Sequence, residues 1–322
     1  MNQVLAAPDS FKGTFSAAEV AASLARGLRA GGRDPVEMPV ADGGEGTMDA
    51  LLAALDGETR TATVSDPLGR GVEARYALVD GGRTAIVEMA EASGLRLVSE
   101  GERDAFAAAT RGTGELIAAA AEAGAGEVLV CAGGSGTTDG GAGALAALDD
   151  AGVRVKITVL CDVRTPWEAA ARVYGPQKGA DPDTVKRLER RLARLARKAP
   201  REPRGVPMTG AAGGLSGGLW AWRDAKLVPG ASYVLDAVGF DAAMRASRFV
   251  VTGEGRIDEQ TLAGKAVTEV ATRCRQSGVA CHAVVGEEAL NPFGERVLDL
   301  WRVIEARTLK DVETAGRELA EL

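Results

Sequence analysis

The segment FVVTGEGRIDEQT, Phe249 to Thr261, decides the fold. Its first residues are a short apolar run. The chain then hinges on Gly253 and Gly255 into a turn that carries Glu254, Arg256 and Asp258. A buried strand that places charge at its carboxyl end is the pattern of a parallel α/β sheet, where ligands bind beyond the strand ends. Three other runs repeat it. Val4-Leu5-Ala6 enters PDSFKGTF, Val128-Leu129-Val130 enters GGSGTTDGGAG (Gly133–Gly143), and Ala283-Val284-Val285 enters Gly286. The helix expected after the first loop starts at Ser16, with Glu19 three residues on completing a capping box. Its stripe is Val20, Leu24 and Leu28, and Gly31-Gly32 stops it. Repeated strand, loop and helix imply parallel strands with crossover helices, an α/β class.

Residues 59–87 depart from this rhythm. TRTATV, the turn DPLGRG, VEARYALV, DGG and RTAIVEM read as a β-meander and mark a second domain inserted into the first. A later helix is expected from Asp181 as N-cap with Pro182 at its first position, burying Val185, Leu188, Leu192 and Leu195. Its other side is basic and lacks aromatics for base stacking, so it reads as a solvated face. The net charge of −7 opposes nucleic acid or anionic membrane as the main partner. No apolar run reaches the length of a spanning helix, and the first residues, MNQVLAAPDS, do not read as a signal peptide. The four cysteines form no CxxC pair, and with one histidine they make a poor zinc set. Reduced thiols in the cytoplasm are the expectation.

The loops carry the chemistry. ADGGEGT (Ala41–Thr47) holds Asp42 and Glu45 between glycines, and GGSGTTDGGAG adds Gly133, Gly134, Ser135, Thr137 and Asp139. A glycine-rich loop before a helix is an anion cradle, because free N–H groups and the helix dipole both favour phosphate. Acids beside it suit Mg²⁺, which needs one or two carboxylates with phosphate oxygens and water. Lys12, Lys178 and Lys265 complete the parts of phosphoryl transfer. No Walker A pattern and no GxGxxG fingerprint are present, which disfavours a nicotinamide oxidoreductase. Turn forming by Asp42 and Glu45, helix capping by Asp139 and a local ion pair of Arg256 with Asp258 are the plain alternatives. Cys161 reads as a buried apolar residue and His282 as a strand residue.

APDSFKGTFSAAE (Ala7–Glu19), ADGGEGT, DPLGR (Asp66–Arg70), RGTGELI (Arg111–Ile117), GGSGTTDGGAG, YGPQKGA (Tyr174–Ala180), GAAGGLSGGL (Gly210–Leu219) and TGEGRIDEQTLAGK (Thr252–Lys265) together resemble the motifs of bacterial glycerate kinases. The resemblance runs in one order from near residue 3 to about residue 286. It implies an open parallel-sheet, Rossmann-like α/β domain (1–57 plus 241–322) with a mixed α/β domain (58–240) inserted. It also implies transfer of the ATP γ-phosphoryl group to D-glycerate, usually at the 2-hydroxyl, with Mg²⁺. Expected as catalytic are Lys12, Asp42, Glu45, Asp162, Arg256 and Asp258, with Arg256 suited by its forked donors to the acceptor carboxylate. Asp9, Ser10, Gly133, Gly134, Ser135, Thr137, Lys178 and Lys265 are expected to bind the nucleotide, and Asp139 and Glu254 the metal. Glycerate and ATP are the expected partners, in a homodimer without nucleic acid or membrane.

The sequence also departs from that pattern. The family's CDVxNPL stands here as CDVRTPW, with Thr165 for Asn and Trp167 for Leu, and the stretches before and after it are short. A paralogue of altered acceptor specificity, or one that binds without turnover, is the alternative function.

Overall fold

Among the described residues, 2–259 and 261–322 of the computed structural model, eleven strands form. They are β1 (Gln3–Pro8), β2 (Asp34–Glu37), β3 (Gly57–Ser65), β4 (Gly71–Val79), β5 (Thr84–Glu88), β6 (Glu127–Cys131), β7 (Lys156–Cys161), β8 (Lys226–Pro229), β9 (Phe249–Glu254), β10 (Ala280–Val285) and β11 (Val303–Glu305). The residues divide into two compact units. The first comprises Met1–Asp42, Asp49–Ala54 and Ala231–Leu322; the second comprises Gly43–Met48 and Leu55–Gly230.

In the first unit the sheet order is β11-β10-β9-β1-β2 and every pair is parallel. Successive side chains of a strand face opposite sides, so a sheet covered on both faces needs continuous apolar runs. Val4, Ala6, Phe249 and Val251 pack with Val20, Leu24 and Leu28 on one side. Leu5, Ala7 and Val250 pack with Phe240, Val270 and Cys274 on the other. The capping box forms as expected: Ser16 Oγ accepts from Glu19 N at 3.2 Å, and Glu19 accepts from Ser16 N at 2.8 Å. That helix, Ala17–Ala30, ends at Gly31 and packs closely on the helix Leu309–Leu319. A Cβ at Gly27 would sit 2.0 Å from the carbonyl oxygen of Glu313, so only glycine permits this approach.

The second unit has the order β3-β4-β5-β6-β7-β8. Its first two pairings are antiparallel, which is the meander, and the rest are parallel. Asp66 shapes the DPLGR turn itself, accepting from Leu68 N and Arg70 N and pairing with the Arg70 guanidinium. Leu116, Ile117, Leu148, Leu215 and Leu219 bury this sheet. The helix Pro182–Ala196 is capped by Asp181, which accepts from Thr184 N at 2.7 Å. Its basic face is partly engaged, since the guanidiniums of Arg187 and Arg191 each lie 3.9 Å from the centre of the Phe106 ring. All four cysteines are buried and unbridged. No helix among the described residues is long and apolar enough to cross a membrane.

Candidate functional site

Each unit carries a polar cluster just past the carboxyl ends of its parallel strands. In the first unit, β1 runs directly into Asp9 and Ser10, and β9 ends on Glu254. Asp9 is buried and its Oδ1 accepts from Ser10 N at 2.6 Å. Burial, and then the neighbouring charge of Asp42, push the Asp9 carboxyl up to about 8 against the opposing pull of Lys12. Asp42, itself buried, accepts from Lys12 Nζ at 3.0 Å. Burial also raises Glu254, although Lys265 stands 3.5 Å from it and Thr261 Oγ1 donates to it at 2.7 Å. Buried carboxyl groups held above their usual range beside specific charged partners make this cluster a candidate functional site.

Ser10, Lys12, Glu254, Arg256, Asp258 and Lys265, all expected from the sequence, line one cavity of about 460 Å³ here. Glu287 and Arg307, which no motif indicated, line it too. Four cationic side chains (Lys12, Arg256, Lys265, Arg307) therefore face three acids (Glu254, Asp258, Glu287). Arg256 is more than half exposed and lies 3.5 Å from both Asp258 and Glu287, so its ion pairs are loose.

The second unit brings together Glu45, Gly133, Gly134, Ser135 and Asp162 around a cavity of about 280 Å³. Lys178 is buried beneath the loop, where its ammonium donates to Ser135 Oγ at 2.8 Å and to the Thr137 carbonyl at 2.6 Å. Burial pushes this lysine down to about 7, with Asp139 and Asp162 acting the other way. Thr137 is fully buried and its hydroxyl has no hydrogen-bond partner among the described residues. It lies away from the cavity lining, and its carbonyl rather than its hydroxyl serves the loop. Arg96, Tyr174 and Gln177 also line this cavity. Tyr174 and Gln177 belong to YGPQKGA, so a signal for them existed; Arg96 had none.

Asp139 differs from its expected metal role. Its carboxylate accepts from Thr110 N and Thr110 Oγ1, from Gly141 N and from Gly143 N. These groups stand at the starts of the helices Arg111–Glu122 and Ala142–Asp150, so one buried carboxylate caps both. Four donors already engage its two oxygens. No group of three or more His, Cys, Asp or Glu side chains able to hold a metal occurs among the described residues. Mg²⁺ asks for fewer, one or two carboxylates with phosphate oxygens and water. Glu254 and Asp9 suit it, because burial makes their charge costly and a cation beside them would offset that cost.

A model of the glycerate kinase family matches residues 4–154 and 149–298. The break falls where the sequence is short. A glycerate kinase of Halalkalibacterium halodurans is 39% identical, over 89% of this chain and 86% of that protein. A glycerate 2-kinase of Escherichia coli K12 is also 39% identical, over 84% of this chain and 81% of that protein. A crystal structure from Salmonella typhimurium LT2, of a protein assigned as a glycerate kinase 2, superposes with a TM-score of 0.83. It is 33% identical, over 99% of this chain and 97% of that one.

Proposed function

The chain belongs to the glycerate kinase family, and on that premise we propose that it transfers the γ-phosphoryl group of ATP to the 2-hydroxyl of D-glycerate, with Mg²⁺, giving 2-phosphoglycerate and ADP. The observation that carries this reading is the first unit's cluster, in which four cations and three acids share one cavity at the strand ends. Phosphoryl transfer is catalysed mainly by positioning and by neutralising charge on the phosphoryl oxygens. Lys12, Arg256 and Lys265 serve the phosphates in this reading, and Asp42 orients Lys12 through their 3.0 Å pair. Arg256, one of four cations in its cavity, is thereby assigned to phosphate rather than to the acceptor. Glu254 and Asp9 would hold Mg²⁺, which supplies neutralising charge when bound. Asp162, which lines the second unit's cavity, is the acid assigned to the hydroxyl proton.

A coupled ADP-release assay with a panel of small hydroxy acids tests the proposal, with and without Mg²⁺. NMR of the product separates phosphorylation at the 2- and 3-hydroxyls. Mg²⁺-dependent ADP release with D-glycerate and a 2-phospho product is the expected result. No ADP release with glycerate would overturn it, and preference for another hydroxy acid would assign a different acceptor.

A further inference from the structure

We infer, resting on the reading of a small hydroxy acid as acceptor, that Arg96, which is paired with Glu45, binds the carboxylate of that acceptor in the second unit's cavity. The two cavities differ in charge. Among the described residues that line the smaller one, Arg96 is the single cation and Glu45 and Asp162 are acids, while Lys178 is buried behind Ser135. The larger has four cations and three acids. A triphosphate, with several negative charges, is favoured by the larger set and opposed by the smaller. A monocarboxylate needs one guanidinium and otherwise neutral or acidic partners for its hydroxyls, which is what Ser135, Tyr174, Gln177 and Asp162 provide. A volume of about 280 Å³ also suits a three-carbon acid far better than a nucleotide.

The backbone that carries the arginine is tied to the cavity wall. Leu95 N donates to the Gly134 carbonyl at 2.9 Å, and Gly136 N donates to the Ser93 carbonyl at 2.9 Å. The segment before Arg96 is therefore clipped to the glycine loop that forms the cavity wall. What the guanidinium holds is already a carboxylate: Arg96 Nη1 lies 2.5 Å from Glu45 Oε1. The Arg96 side chain is 71% exposed, so an incoming carboxylate can reach it and replace Glu45 in the same planar fork. Ser135 adds a second contact. Its oxygen already accepts from Lys178, which leaves its own proton to donate to the ligand.

The experiment compares the full-length wild type with Arg96→Gln and Arg96→Lys. Glycerate binding is titrated calorimetrically, and steady-state rates are measured with glycerate and with glycerol, which lacks the carboxylate. Arg96→Gln should raise both Kd and KM for glycerate at least tenfold, leave KM for ATP within twofold, and abolish the preference for glycerate over glycerol. Arg96→Lys should recover part of the glycerate affinity. A merely structural arginine would move the melting temperature and leave the glycerate–glycerol preference intact. Unchanged glycerate affinity in folded Arg96→Gln overturns the inference, as does wild-type protein that binds no glycerate. Wild type that binds glycerate yet releases no ADP would refute the kinase reading alone, and the calorimetric comparison would still decide Arg96.

Discussion

Replacing Asp139 with alanine separates a structural acid from a metal ligand. Its carboxylate accepts from two backbone N–H groups in the Gly141–Gly143 turn, and from both the amide and the hydroxyl of Thr110. Thr110 Oγ1 in turn accepts from Ala144 N at 3.0 Å, so the network fastens two helix starts to each other. Leaving a buried donor unsatisfied costs about 1–3 kcal/mol. A lost N-cap costs about 1 kcal/mol, and here two caps are lost together. Partial relaxation and water entry reduce the sum, so Asp139→Ala should destabilise the second unit by about 3–5 kcal/mol. For a unit of this size that is a fall in melting temperature of about 6–20 °C. Asp139→Asn, which keeps one acceptor oxygen, should fall between wild type and alanine. The assay is thermal and urea unfolding of the metal-free protein, followed by Mg²⁺ titration of ADP release at a temperature where every variant is folded. An alanine variant that melts like wild type but needs at least tenfold more Mg²⁺ would refute the structural assignment.

Other expected outcomes concern the glycine loop and its support. Lys178 is held down to about 7 by burial, so between that pH and the ordinary lysine range the unfolded chain binds the extra proton and stability rises with pH. Lys178→Met should flatten that slope in unfolding measured from about pH 6.5 to about 9.5, a span set by the ordinary lysine range, and an unchanged slope would exclude this lysine as its source. Gly134 has φ of +74°, and a Cβ there would stand 3.0 Å from that of Ala90, so Gly134→Val should lower turnover at least about a hundredfold. Normal activity in that variant would remove the loop from the site. Trp167→Leu, the residue usual in the family, should cost about 2–4 kcal/mol through the cavity it leaves, read as a lower urea midpoint with KM for glycerate unchanged.

Much of the fold was legible because its determinants are local. The runs Val4–Ala6 and Phe249–Val251 are apolar without interruption because both faces of their sheet are covered. Ser16 and Glu19 fixed a helix start within four residues of chain, and the meander announced itself by turn residues at regular spacing. The side chains that the sequence leaves open or does not indicate are those whose meaning depends on distant partners. Asp139 is a cap because Thr110, 29 positions earlier, folds against it. Arg256 reads alone in its motif as a carboxylate clamp, and only the arrival of Arg307 and Glu287 shows the crowd of charge around it. Arg96 sits in a stretch without any motif, and its pairing with Glu45 spans two loops. Periodicity carries no information about such pairs.

The short region around CDVRTPW bears on whether the site survived it. Trp167 is fully buried, its Nε1 donates to the Leu192 carbonyl at 3.0 Å, and its backbone N–H donates to Thr209 Oγ1 at 2.9 Å. Added Cβ atoms at Gly140 and Gly217 would lie 2.8 and 2.5 Å from its ring. The glycines of GGSGTTDGGAG and GAAGGLSGGL thus leave a slot that an indole fills, and the larger residue takes up volume where the chain is shorter. Close packing of this kind resists collapse of the wall beside it. Thr165 is the other substitution, and it has a different place: its hydroxyl lies 2.7 Å from that of Tyr174, a residue of the smaller cavity. One departure therefore acts on the core and the other on the cavity wall. A change of acceptor preference would have its physical origin at Thr165 and Tyr174, and the loss of length by itself gives no reason to expect a loss of turnover.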